Sequence, residues 1–472
     1  MAPIGVDEWV ARSDERRSSR PGWMGHVERA FERVGWWPKL AALGVIAALL
    51  PLVSLNDFQL QVAINSLLLA MLALGLNIAV GWAGLLDLGY VAFYGFGAYG
   101  FALLSSNAIN NGGKGVHLSA LVSIPIVMVA AAVLGLLVGL PSRRLIGDYL
   151  AIVTLFFGEV FVEVTTNVAP NTLGGPNGIP SVDPITAFGH EILSLKGYFY
   201  FTLVLLLLSM AVLHLLDTSR TGRAWRAVRE DPLAANVMTI PVNRVKLMAF
   251  SFGAVVAALA GTAFAAQQGA VFPNDFDTPF LILIYAGLIL GGSGSIAGAV
   301  LGGIVVSVTL EFLRNPTEAA YVFYGLILAT LIARMRPWWR TALVIVATIA
   351  LGFIAHAIAG AVSDSATAGH TQSGGWVGDL LQNWVIVPAN PKTFGNICFV
   401  VLVVALIALA RVPKRTRDLL LVPTLYLAAC TWESRLAAEP SITRQILIGA
   451  ILIVMMNARP QGLLGQRRVE VV

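Results

Sequence analysis

The chain has 472 residues, of which 57% are hydrophobic, and a mean hydropathy of +0.78. Charged residues make up only 12%, about half the share usual in soluble domains, so a water-soluble globular protein is excluded. The net charge of +5 and pI near 9.3 do not call for nucleic acid, because the basic residues cluster at the ends of oily runs, where membrane orientation explains them.

Residues 1–37 are polar, carry Arg12, Arg16, Arg17 and Arg20, and lack the apolar core of a signal peptide. "WMGHVERAFERVGWWPK" (23–39) reads as an interfacial helix with Trp36 and Trp37 in the aromatic belt, or as a disordered tail. A spanning helix needs about 20 apolar residues to cross roughly 30 Å of hydrocarbon. Candidate spans are 38–55, 58–80, 88–106, 118–140, 149–167, 198–216, 245–268, 278–292, 296–314, 321–334, 341–362, 394–411, 418–432 and 443–458, about 14 in all, several of them short. With the N-terminus inside, only Lys114, Lys196, Arg314, Lys392, Arg435 and Arg444 fall outside, and the other 25 of the 31 Lys and Arg fall inside. That asymmetry supports an even span count and cytoplasmic termini. The predicted fold is all-α, a polytopic helical membrane protein.

The predicted organisation is a cytoplasmic segment (1–37), a core (38–316), an extra transmembrane block (317–440) and a terminal helix with its tail (441–472). The longest connections, 168–197 and 363–393, lie outside, and no soluble domain fits the gaps. Cys398 and Cys430 sit in apolar runs and suggest neither a metal site nor a disulfide framework. A phosphate-cradling G-x-x-x-x-G-K-[ST] loop is absent, as are H-E-x-x-H, CxxC and G-x-S-x-G. Catalysis is therefore not expected in this chain, no cofactor is predicted for it, and any ATP work needs a partner.

Three features stand out. "GLILGGSGSIAGAVLGG" sets Gly287 and Gly291, then Gly294, Gly298 and Gly302, at intervals of four, a spacing that lets helix backbones approach in lipid. The ladder reads as plain helix packing, or as a helix–turn–helix unit beside a translocation path. Glu159 and Glu163 share a helix face. A mid-membrane charge costs about 2.5–3.5 kcal/mol on insertion scales and normally faces the bundle interior, so Glu159 either lines a path or is a hydrogen-bonded packing residue. Asp87, His214, Glu311 and His356 lie nearer span ends and read as interfacial. The third feature is 217–246, "DTSRTGRAWRAVREDPLAANVMTIPVNRVK", a charged, helix-like segment between two oily runs.

Six ordered stretches together resemble one family. They are 72–99 ("LALGLNIAVGWAGLLDLGYVAFYGFGAY"), 144–160 ("RLIGDYLAIVTLFFGEV"), 174–179 ("GGPNGI"), 221–240 ("TGRAWRAVREDPLAANVMTI"), 291–302 ("GGSGSIAGAVLG") and 459–465 ("RPQGLLG"). They are similar to the M-type (LivM-like) permease subunits of high-affinity branched-chain amino acid ABC importers. The resemblance implies a second, LivH-like permease subunit, two cytoplasmic ATPases carrying ATP and Mg, and an extracytoplasmic amino-acid-binding protein. It also implies a multi-pass protein of the bacterial inner membrane. The 217–246 segment would be the loop that couples the permease to the ATPase, through Arg223, Arg226, Arg229, Glu230, Asp231, Pro232, Ala234 and Ala235.

The residues of this loop permit the role. Asp231-Pro232 is an N-cap and first-turn pair, starting a short helix from Pro232 to about Met238 that presents Ala234 and Ala235. Arg223, Arg226 and Glu230 fall on one charged face, with Trp225 and Val228 turned to the bilayer or the bundle. The alternative is a basic helix that only meets anionic headgroups. Thr239 stands where the family usually has Gly, and Leu173 where Thr is usual before "GGPNG". About 125 residues before "RPQGLLG" have no counterpart in the family, and this block is predicted to pack beside the core. Asn77, Tyr90, Tyr94, Thr154 and Glu159 are predicted to line the path. Competing functions are a urea or short-amide ABC permease, an ion-driven secondary transporter, and a membrane scaffold. Paired ionisable residues repeated in both halves, which a secondary transporter would favour, are missing.

Overall fold

The computed structural model describes residues 35–465 except 53–55, 112–113, 144, 146, 188–189, 335–337, 372, 374, 412–413, 437–438, 440–444, 447, 451, 454–455 and 457–460. Most of the predicted interfacial helix, and Arg459 and Pro460 of the C-terminal motif, lie outside the described residues. The described residues begin with α1 (Trp36–Leu49) and α2 (Asp57–Leu76), which runs on into a π-helical turn (Asn77–Trp82). Next come α3 (Tyr90–Leu104), the antiparallel hairpin β1–β2 (Ser105–Asn111, Lys114–His117), α4 (Ala120–Gly139) and α5 (Asp148–Glu163). A short α6 (Pro170–Leu173) and the brief strands β3 (Ile179–Pro180), β4 (Thr186–Ala187) and β5 (His190–Glu191) lead to α7 (Leu195–Thr218). Then follow α8 (Arg220–Glu230), α9 (Pro232–Val237), α10 (Val242–Gln268) and β6 (Ala270–Val271), which pairs with β3. The core closes with α11 (Thr278–Gly291) and α12 (Ile296–Phe312).

Helix α2 is apolar all round, as a helix enclosed by protein should be, and its residues from Ser66 to Leu76 are all buried. Helices α7, α10, α11 and α12 pack around it, and α3 and α4 lie against α10. The alanine- and glycine-rich face of α10 makes this possible. A Cβ on Gly97 of α3 would stand 2.2 Å from the Ala258 carbonyl oxygen, so the two backbones meet with nothing between them. On the other side, "GGPNG" turns at Gly174, whose φ of 77° is left-handed; Leu173 before it does not prevent the turn.

Past the core, α13 (Pro316–Arg334), α14 (Trp338–Val362), α15 (Gly375–Gln382), α16 (Pro391–Arg411) and α17 (Lys414–Thr431) pack largely on one another. Leu381, Val385, Val387, Tyr426, Ala429 and Cys430 make a small separate core. Where the block meets α12, Trp432 stacks on Phe323 at 4.3 Å beside Leu313. Buried Glu433 accepts hydrogen bonds from the Ser373 hydroxyl (2.5 Å) and backbone N–H (3.2 Å). The C-terminal motif returns to the core, where the N–H groups of Leu463 and Leu464 donate to the carbonyls of Leu290 and Gly291 at 2.9 Å.

Among the described residues seven helices are long and apolar enough to cross a membrane, or eight if 296–312 and 317–332 form one bent span. Part of the difference from about 14 is geometric, and the predicted 443–458 span lies partly outside the described residues. Helices α3, α11 and α12 have 15, 14 and 17 residues, or roughly 21–26 Å of helix at 1.5 Å per residue, short of the hydrocarbon thickness. The protein is an all-α, multi-pass membrane protein.

Candidate coupling and translocation site

The 217–246 segment folds as two capped helices. The Ser219 hydroxyl accepts from the N–H groups of Thr221 (3.1 Å) and Gly222 (3.4 Å), starting α8. Asp231 ends α8 and starts α9, its carboxylate accepting from Leu233 N–H (2.8 Å) and Ala234 N–H (3.1 Å), with Pro232 in the first turn. Helix α9 closes in a Schellman motif. Thr239 N–H donates to Asn236 O (3.1 Å) and Ile240 N–H to Ala235 O (3.0 Å). That motif needs a left-handed residue, and Thr239 takes φ 63°. The threonine thus adopts the glycine-like geometry the family position implies, at a cost of about 1–2 kcal/mol for a residue with a Cβ.

The side chains do not all face where the sequence puts them. Trp225 and Val228 are buried in the bundle. Arg223, Arg226 and Glu230 are all exposed, and the two arginines also fold back on the end of α7. They donate to the carbonyls of Thr218 (3.0 Å) and Asp217 (2.7 Å), and Arg226 also lies 3.4 Å from the Asp217 carboxylate. Cations so placed satisfy the terminal carbonyls of a helix. Ala234 is exposed, but Ala235 is turned inward and only 4% accessible. The outer face of α9 is apolar instead, with Leu233, Val237 and Met238 at 80%, 82% and 73% exposure.

This helix pair is fastened to the core. The Trp225 indole N–H donates to Val245 O (2.9 Å), and its ring lies 5.9 Å from that of Trp82 at 20°. The Arg229 guanidinium donates to the Gly81 carbonyl. Of these core partners Val245 lies on α10, while Trp82 and Gly81 both belong to the π-helical turn that continues α2. That turn in turn grips the connection between α11 and α12. The Asn77 amide oxygen accepts from Gly294 N–H (2.7 Å), and Trp82 Nε1 donates to Gly294 O (3.2 Å). Gly294 has φ 93°, a conformation an L side chain rarely takes. The remaining glycines of the ladder close the α11–α12 hairpin. A Cβ on Gly291 would stand 1.9 Å from Gly298 O, one on Gly302 2.0 Å from Gly287 O, and one on Gly298 2.7 Å from Gly291 O.

Of the residues predicted to line a path, Asn77, Tyr90, Tyr94 and Thr154 are buried within this chain. Tyr94 sits among Phe264, Phe276 and Phe280, and the Tyr90 ring end packs against Gly75. The Thr154 hydroxyl accepts from Leu88 N–H (2.9 Å), which pins the connection 83–89. Glu159 is exposed and accepts from the Thr278 hydroxyl at 2.5 Å. Nearby, outside the spans, burial raises the Asp275 carboxyl above its usual range, and the adjacent Asp277 charge adds to this. Asp277 is raised too, by burial and then by the Glu159 charge. Asp87, predicted at an interface, is instead buried, and its carboxylate accepts from Gly89 N–H (3.0 Å). Asp87 and Trp82 escaped the list of candidates. The signal available was the polar residue inside the glycine-broken "GWAGLLDLG", since irregular backbone at membrane depth must be met by protein groups.

Residues 58–335 match the family model described as branched-chain amino acid transport system / permease component; the match takes in α13. The chain is 36% identical over 309 residues to the high-affinity branched-chain amino acid transport system permease protein LivM of Escherichia coli (strain K12), covering 61% of this chain and 70% of that protein. It is 27% identical to the probable branched-chain amino acid transport permease protein LivM of Methanocaldococcus jannaschii (55% and 80% covered). It is 25% identical to the permease BraD of Pseudomonas aeruginosa (56% and 89% covered). No solved structure matches this chain. With a matched core that carries both the fastened charged helix pair and the glycine hairpin, the chain belongs to the branched-chain amino acid transport system permease family and is a permease subunit of an ABC importer.

Proposed function

We propose that this permease carries branched-chain or related hydrophobic amino acids inward across the bacterial inner membrane, with both termini in the cytoplasm. It works beside a second, LivH-like permease subunit, takes its cargo from an extracytoplasmic amino-acid-binding protein, and draws its energy from ATP hydrolysed with Mg on two separate ATPase subunits. The observation that carries this reading is the apolar face of Leu233, Val237 and Met238, exposed on α9 directly after α8, which a hydrogen bond and ring stacking through Trp225 join to the core. An apolar face on a polar-flanked cytoplasmic helix fits a protein groove. Exposed Glu159, with Thr278, is the residue we assign to the translocation path at the subunit interface.

Co-purification from the native membrane tests the assembly: ATPase subunits are expected with the chain. Uptake of labelled leucine is expected to stop on ATP depletion while the proton gradient persists. Uptake that follows the gradient instead would establish an ion-driven transporter, and uptake of urea but not leucine would reassign the substrate. Unchanged uptake by Glu159→Gln would remove that residue from the path.

A further inference from the structure

A cavity of about 170 Å³ lies where the α8–α9 joint meets the core, lined by Gly84, Gly147, Asp148, Arg229, Pro232 and Lys246, with leucine and valine side chains completing its walls. The basic-residue asymmetry puts it at the cytoplasmic end of the spans. Two cations line it against one carboxylate, and neither cation is ion-paired with that carboxylate or any other among the described residues. Among the described residues, the Arg229 guanidinium is held by the Gly81 carbonyl alone. Lys246 is more than nine-tenths buried, and among the described residues its ammonium makes one hydrogen bond, to the Ser142 carbonyl at 3.5 Å. An ammonium so enclosed is costly unless an anion meets it. The 16-residue α5 starts at the same cavity on Gly147 with no side-chain cap, which adds a helix N-terminus facing a cation-rich space. Beside it Tyr149 is 71% exposed, an interfacial residue with a wet and an apolar end.

We propose that this cavity binds a phosphate-class anion, in the membrane the headgroup of an anionic phospholipid, which bridges Lys246 and Arg229 and braces the α8–α9 pair against α5 and the 83–86 connection. Basic pockets between helices on the cytoplasmic side suit such headgroups, and the apolar walls suit the glycerol and upper acyl carbons. Headgroup occupancy would then tune how firmly the coupling helices hold to the core.

The test uses the full chain in a neutral detergent. Phosphatidylglycerol is expected to raise its melting temperature by about 2–4 °C over phosphatidylcholine. Lys246→Arg should keep that rise and Lys246→Met should lose it. If inorganic phosphate alone gives the same Lys246-dependent rise, the site is a phosphate site fed from solution rather than a lipid site. A rise fully retained in Lys246→Met, or absent with both probes, overturns the proposal. Should Lys246→Met not fold, a photoactivatable phosphatidylglycerol on the wild-type chain decides. Labelled peptides from 145–150 or 228–246 support the site, and label only elsewhere removes it.

Discussion

The indole of Trp225 lies nearly parallel to that of Trp82, 5.9 Å away, and is the largest side chain joining the helix pair α8–α9 to the core. It is fully buried and donates to Val245 O. Trp225→Ala should therefore cost about 3–5 kcal/mol through the cavity it leaves, read as thermal unfolding in detergent. Wild-type melting in that variant would show that the stack does not hold the joint.

Arg229 makes the second fastening, to the Gly81 carbonyl. Arg229→Met keeps the stem but loses the charged hydrogen bond, worth about 1.5–3 kcal/mol. Uptake should fall about tenfold or more, with normal amounts of assembled complex by affinity purification. Equal uptake at equal assembly would place Arg229 outside energy transmission.

Thr239 holds a left-handed turn against its own Cβ. Thr239→Gly removes that strain, less the entropy glycine gives the unfolded chain. The expected net gain is about 0.5–1 kcal/mol, seen as a small rise in melting temperature. A lower melting temperature in the glycine variant would mean that the threonine side chain has a compensating contact.

Exposure separates two neighbours on α9. Val237→Glu, on the open apolar face, should leave the chain's own folding intact and abolish association with the ATPase subunits in pull-down. Ala235→Glu buries a charge in the core and should destabilise by several kcal/mol, so its effect reads as misfolding in size-exclusion chromatography. Normal ATPase pull-down by Val237→Glu would dismiss this face as the contact.

The α11–α12 hairpin leaves no room at Gly291, where an added Cβ would stand 1.9 Å from the Gly298 carbonyl oxygen. Gly291→Ala should cost at least about 1–3 kcal/mol by forcing the helices apart. It should also disturb the Asn77–Gly294 bond at the hairpin's turn, which hydrogen exchange at the Gly294 amide would register. Unaltered protection there would separate the ladder from the turn.

The sequence alone determined those properties that depend on composition and local spacing. Hydropathy made this a membrane protein, and basic-residue asymmetry argued its orientation. Asp231-Pro232 started a helix where local capping rules put one, and Thr239 marked the turn as unusual for its family, because a cap and a left-handed turn are set by residues a few positions apart. Tertiary structure decided which way side chains face and what meets across long separations. Nothing near Ala235 in the chain says that it turns into the core, nor that Arg223 and Arg226 turn back onto α7. Asn77 meets Gly294 across 217 positions and Trp82 meets Trp225 across more than 140. The Asn77–Gly294 contact arises because α11 and α12, too brief to cross the bilayer alone, must satisfy their connection against other parts of the protein.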